Sequence, residues 1–294
     1  MSTSYAQIHK NWDREPAYIT EGFSLEITAK DVDSLRACAR QLPEQTPIAV
    51  TFLPGESLDA RIKAACAIRE LGFEPMPHFS ARRLENSDSL KLMLERMVKE
   101  ADVRRCFAIA GDPSTPEGPF SETASLIETG YFEAMNIQAI GIAGHPQGHP
   151  NMSDEECFSV LEKKCQMILQ RNMKPLIVTQ FGFDPDAFLA WTRELRLRGI
   201  DAPVRIGVPG PTSIQSLLKF AARCGVSASA SVMSKYGISL SKLIGNAGPD
   251  RMVDAFAKGF NQEHGRVRLH FYPFGGLQKT VAWVNQYTQK IHNT

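Results

Sequence analysis

A chain of 294 residues with a formal charge of +1 and 43% hydrophobic residues can bury one large core, and its interspersed charges exclude an extended nucleic-acid footprint or a polybasic membrane anchor. No stretch reads as a signal peptide or a spanning helix, and Cys38, Cys66, Cys106, Cys157, Cys165 and Cys224 form neither a CxxC pair nor a His/Cys zinc spacing. The expectation is a cytoplasmic protein with reduced, mostly buried thiols and small-molecule partners, in contact with neither nucleic acid nor membrane.

In chain order, residues 1–20 are polar and aperiodic and read as an N-terminal arm. Residues 23–29 read as a first strand, and the helix after it opens on Asp31, a residue type able to cap free amides. A second strand at 48–52 precedes a helix whose Leu58, Ile62, Ala65, Ile68 and Leu71 recur at helical spacing. A third strand at 74–78, a long helix through 85–100 and a fourth strand with its turn at 105–112 continue the alternation. Residues 113–119 form a Pro/Gly/Ser loop where a barrel would carry a mobile active-site loop. The fifth strand, 137–144, is apolar on both faces, and the helix after it carries a Ser153/Glu156 capping box and an inner stripe of Phe158, Leu161, Cys165 and Ile168. The sixth and seventh strands fall at 175–184 and 204–211. A Ser/Ala-rich stretch between Cys224 and Ile244 reads as a helical insertion before the eighth strand at 267–276, which a helix through Val284 closes.

The runs end at Glu26, Thr51, His78, Asp112, His145, Gln180, Gly207 and Tyr272. One α/β architecture fits this alternation, a (β/α)8 TIM barrel over residues 21–294 in a single domain, since such barrels use about 250 residues. All eight carboxyl ends then meet on one face, where active sites of this fold sit, so the strand-end residues are the candidates.

The strand-end motifs, in order, are Ser24-Leu25-Glu26, Val50-Thr51-Phe52, Met76-Pro77-His78, Gly111-Asp112, His145-Pro146-Gln147-Gly148-His149-Pro150, Thr179-Gln180-Phe181-Gly182-Phe183-Asp184 and His270-Phe271-Tyr272. Each is short, but their order across residues 20–290 resembles the bacterial methylenetetrahydrofolate reductases. The resemblance implies FAD at the carboxyl face, reduced by NADH or NADPH with NADH favoured, and reoxidised by 5,10-methylenetetrahydrofolate in a ping-pong cycle. It also implies a homo-oligomer that supplies methyl groups for methionine biosynthesis.

Glu26 matches the family's general acid, needed because the folate's bridging ring opens only when its leaving nitrogen is protonated; the role calls for a raised pKa. Thr51, Phe52 and His78 match positions lining FAD, Gly111 permits close approach of the backbone, and Asp112 matches a residue serving both flavin and pterin. Gln180, Phe181 and Tyr272 match the substrate side, with Phe181 and Phe183 offering an apolar stacking surface. His145 matches an aromatic position packed on the cofactor, while His149, Lys163 and Lys164 match groups near the FAD phosphates, Lys164 lying nearer the inner stripe. The His145/His149 spacing is not read as a metal site, because no third ligand has the right placement.

Two departures stand out. Ala110 occupies the place of an arginine before Gly-Asp, and Gly276 that of an arginine meeting the folate tail, with Lys279 nearby. Taken alone, Glu26 also reads as a helix cap, Asp112 as a turn cap and Gln180 as a loop anchor. The alternatives are a divergent flavin- or folate-binding barrel acting on another pterin or one-carbon carrier, and a non-catalytic partner subunit.

Overall fold

Every apolar run read from the sequence forms a strand, and the strands close on themselves. The computed structural model describes residues 14–226, 233 and 246–293. Its barrel strands are β1 (Ser24–Ile27), β2 (Pro47–Val50), β3 (Glu74–Ser80), β4 (Arg105–Ile109), β5 (Ala139–Gly144), β6 (Lys174–Phe181), β7 (Val204–Pro209) and β8 (Val267–Tyr272). All neighbours are parallel in sequence order, and β1 pairs with β8 (Ser24 opposite His270, Leu25 opposite Phe271), so the sheet has no free edge. The helical insertion expected between Cys224 and Ile244 lies almost wholly outside the described residues.

Strand alternation sorts the side chains. Leu25, Ile48, Phe79, Ile140, Ile206 and Leu269 belong to the large core between the strands and the surrounding helices. Residues of the other parity point inward, and Ala49, Met76, Phe107, Leu176 and Val178 form a separate buried cluster that plugs the barrel. Gly141 belongs to this layer: a Cβ there would lie 2.7 Å from the Phe107 ring, so the large side chain takes space that the glycine vacates.

The helices obey their sequence signals, with one change. Phe158, Leu161, Cys165 and Ile168 are the buried stripe of the helix Asp154–Gln170, and the Ser153/Glu156 capping box opens it. Asp31, in contrast, makes no side-chain cap for the helix Val32–Cys38. It closes a capping box with Thr28 over the short 3-10 turn Ala29–Asp31, accepting from the Thr28 backbone N–H at 2.8 Å. Of the cysteines, Cys38, Cys106 and Cys165 are buried, but Cys224 is exposed, because the helix Ile214–Arg223 ends just before it.

Residues 14–20 lie against the amino end of the barrel. The Arg14 carbonyl accepts from Arg268, Thr20 and Thr288 share a hydrogen bond of 2.7 Å, and Tyr18 meets His292 edge-on. Among the described residues, no helix is long and apolar enough to cross a membrane.

Candidate active site

At the carboxyl mouth, the inward parity of β1, β3 and β8 brings Glu26, His78 and His270 together. Glu26 Oε2 lies 3.4 Å from His78 Nε2 and 3.8 Å from His270 Nε2, and the Glu26 side chain keeps 18% of its surface open. His270 is held from behind, its Nδ1 hydrogen-bonded to Ser24 Oγ at 2.8 Å. His78 is clamped edge-on against Phe107. Neither His78 nitrogen has a hydrogen-bond partner, nor does His270 Nε2 or Ser80 Oγ, although all four atoms are buried. Unmatched buried polar atoms at a strand-end cluster are a mark of a site built to receive a polar ligand.

The electrostatics of the three groups follow from their packing. Burial alone would raise the Glu26 pKa, but its interaction with His270 and the charges of His78 and His270 outweigh that, so the carboxyl titrates below its usual range. The raised value expected of an acid here is therefore not what the protein's own groups produce. Burial drives His78 down to about 4 despite Glu26, and His270 moves the same way, again because of burial, so both rings are neutral near pH 7. Burial, with Glu26 and Cys224 nearby, lifts Tyr272 well above the ordinary phenol range, which keeps its proton for the 3.0 Å hydrogen bond to the Thr179 carbonyl.

Thr51 and Phe52 follow directly on β2, both half-buried. Phe52 lies between two guanidinium groups, Arg61 at 4.5 Å and Arg83 at 5.2 Å from its ring centre. Arg61 also donates to the His78 carbonyl at 2.8 Å, tying the end of β3 to the helix after β2. Gly111 has φ +97°, and a Cβ there would meet Ser80 Oγ at 2.1 Å; the turn after β4 thus rests on the end of β3. Asp112, with 69% of its side chain exposed, is paired to Arg83 at 2.6 Å.

Gln180 is carried by an irregularity. The β6/β7 register shifts between Val178 and Phe181, and there Thr179 Oγ1 accepts from the Gly207 N–H at 2.8 Å. Phe181 and Phe183 are buried at 2% and 0% exposure, packed on each other, so neither offers a free stacking face. The half-buried ring above them is Phe274, edge-on to Phe181 and stacked on Phe220 at 4.1 Å.

On the β5 side, His145 and His149 meet edge to face at 4.8 Å. Burial, with His149 and Lys164 nearby, lowers His145 to about 4. Lys164 is half-buried and lowered by burial against the pull of Glu122, while Lys163 is exposed. Gly276 has φ +105° with open space around it, so an arginine at this position would carry backbone strain; Lys279 is exposed on the following helix.

Five contributors lie outside the candidate residues read from the sequence: Ser24, His270, Thr179, Arg61 and Arg83. The first two were legible by parity, standing two residues before Glu26 and Tyr272. The two arginines reach the mouth from helical and turn segments, and nothing local in the sequence links them to Phe52 or Asp112.

The chain is thus a closed parallel (β/α)8 barrel with a carboxylate near two imidazoles at its carboxyl mouth, the face where active sites of this fold sit. The methylenetetrahydrofolate reductase profile matches residues 8–284, and the chain belongs to that family. It is 29% identical over 235 residues to methylenetetrahydrofolate reductase 2 of Saccharomyces cerevisiae, covering 74% of this chain and 38% of that one. It is 23% identical over 198 residues to methylenetetrahydrofolate reductase (NADH) 1 of Arabidopsis thaliana, covering 60% and 32%. The chain thus spans about a third of the length of these relatives. An uncharacterized protein from Clostridium thermocellum, described as binding two copies of 5-methyl-5,6,7,8-tetrahydrofolic acid, superposes with a TM-score of 0.65 at 11% identity, over 97% of this chain and 99% of that one. At that identity the likeness is one of fold.

Proposed function

We propose that this chain reduces 5,10-methylenetetrahydrofolate to 5-methyltetrahydrofolate, using a reduced nicotinamide and FAD in a ping-pong cycle. The observation that carries the reading is Glu26 at the barrel mouth, 3.4 Å from His78 and 3.8 Å from His270, in a member of this family. FAD, when bound, would supply the hydride transfer between the nicotinamide and the folate.

The residues present fit such a cofactor. Thr51, Phe52 and His78 line one side, and the unmatched polar atoms of His78 and Ser80 offer partners to a heterocycle edge. Gly111 brings backbone to the same wall without a side chain, and Lys164, His149 and Lys163 supply donors for phosphates on the β5 side, with His145 half-buried among them. On the substrate side, Gln180 presents an amide that donates and accepts in one plane, and Asp112 adds a carboxylate acceptor.

Glu26 holds and delivers the proton that opens the folate ring. Its carboxyl is ionised near neutrality in the protein alone, so a folate lying over the mouth supplies the further desolvation that draws a proton onto it. Ser24 keeps His270 oriented, and neutral His78 and His270 leave Glu26 as the group that changes charge.

The test is an absorption titration of the purified chain with FAD, followed without oxygen by NADH and then by methylenetetrahydrofolate. Bleaching of the oxidised flavin band by NADH and its return with the folate is the expected result. Failure to take up flavin would overturn the redox reading and favour a non-redox or supporting role.

A further inference from the structure

The 3-10 turn Ala81–Arg83 at the end of β3 carries two arginines that treat the loop after β4 differently. Arg82 works through backbone: its N–H donates to the Ala110 carbonyl at 2.9 Å, its carbonyl accepts from the Glu117 N–H at 2.8 Å, and its guanidinium reaches the carbonyls of Pro113 and Ser121. Arg83 instead directs its charge at Asp112. Nε and Nη2 converge on Asp112 Oδ1 at 3.0 and 2.6 Å, Nη1 lies 3.6 Å from Glu117, and the guanidinium carbon lies over the Phe52 ring at 5.2 Å from its centre. The Arg83 side chain is only 15% exposed, whereas that of Asp112 is 69% exposed.

We propose that Arg83 is a positioning residue that fixes the Asp112 carboxylate and balances its charge in the ligand site. The inference rests on the functional reading above for its redox consequence, but not for the pairing itself. Beside a bound flavin, an uncompensated carboxylate opposes the arrival of electrons. Arg83 offsets that opposition and, packed over Phe52, holds the acid on the β3 side of the mouth. A lysine could keep the charge but not the two-nitrogen grip.

The test compares Arg83→Gln, Arg83→Lys, Asp112→Asn and the Arg83→Gln/Asp112→Asn double variant of the full chain, each checked for a wild-type melting profile. The first readout is the midpoint potential of bound FAD by dye equilibration. Arg83→Gln should weaken reduced relative to oxidised flavin about tenfold, a drop of about 30 mV for a two-electron couple. Arg83→Lys should restore most of it, and Arg83→Gln should lower the potential less in the Asp112→Asn background, where no carboxylate remains to be held. An unchanged potential, or the same drop in both backgrounds, overturns the proposal.

The second readout is amide hydrogen exchange over residues 111–117 without flavin. Each single variant should speed exchange, and the double variant no more than either; additive or absent effects overturn the pairing. A chain that binds no flavin defeats the functional reading, and the exchange data then decide the Arg83 proposal by themselves.

Discussion

Glu26 has a surrounding that makes its role separable from folding. Glu26→Gln preserves shape and removes the transferable proton, so the folate half-reaction should slow by roughly two to four decades while NADH still bleaches the bound flavin. Rapid-mixing measurement of the two half-reactions checks this, and loss of both together would argue for damage to the flavin site. Because the carboxyl titrates low, its protonated fraction grows as pH falls, and the folate half-reaction should accelerate toward acid where the nicotinamide half-reaction does not. His78 imposes the opposite demand on the fold. Its folded pKa of about 4 lies below the ordinary 6.5, so between those values the unfolded chain binds a proton that the native protein refuses. The stability it contributes is complete above pH 6.5 and is lost as pH falls toward 4, at up to about 1.4 kcal/mol per pH unit. Melting curves across that window should show the decline, and His78→Asn should flatten it.

Turns and caps position the site more than strand interiors do. Gly111 combines a left-handed φ with contact on Ser80, so Gly111→Ala should cost about 1–3 kcal/mol. Ser80→Ala in the same chain should recover the steric part and leave the backbone part, as read in denaturant melts. Ser153 closes the capping box of the helix that carries Lys164, and Ser153→Ala should cost about 0.5–2 kcal/mol. These elements were legible locally, since Gly-Asp after an apolar run and Ser-x-x-Glu before one are short-range signals. The Arg82 and Arg83 contacts were not, because they join residues about thirty positions apart whose only link is the adjacency of β3 and β4.

The barrel's two cores depend on each other: the outer one exists because helices cover the strands, the inner one because the sheet closes. Phe107 belongs to the inner one, plugging the interior while bracing His78. Phe107→Ala should cost about 3–5 kcal/mol and also perturb ligand binding, since the ring under His78 is lost. Calorimetry paired with a flavin titration would separate the two effects, and an unchanged affinity would show that His78 is held by its other contacts.

Sequence alone determined the eight strands and their order, because a buried parallel strand needs a continuous apolar run and each helix a periodic stripe. It also determined the family, through short motifs whose spacing the barrel imposes. Tertiary structure decided the rest. The low pKa of Glu26 arises from imidazoles on β3 and β8, some 52 and 244 positions away, and the inward burial of Phe181 and Phe183 from ring packing across the mouth. The pairing of Asp112 with Arg83 arises from a turn folding back over a neighbouring strand. Charge, burial and aim depend on neighbours in space, and only closing the barrel makes residues at the eight strand ends neighbours.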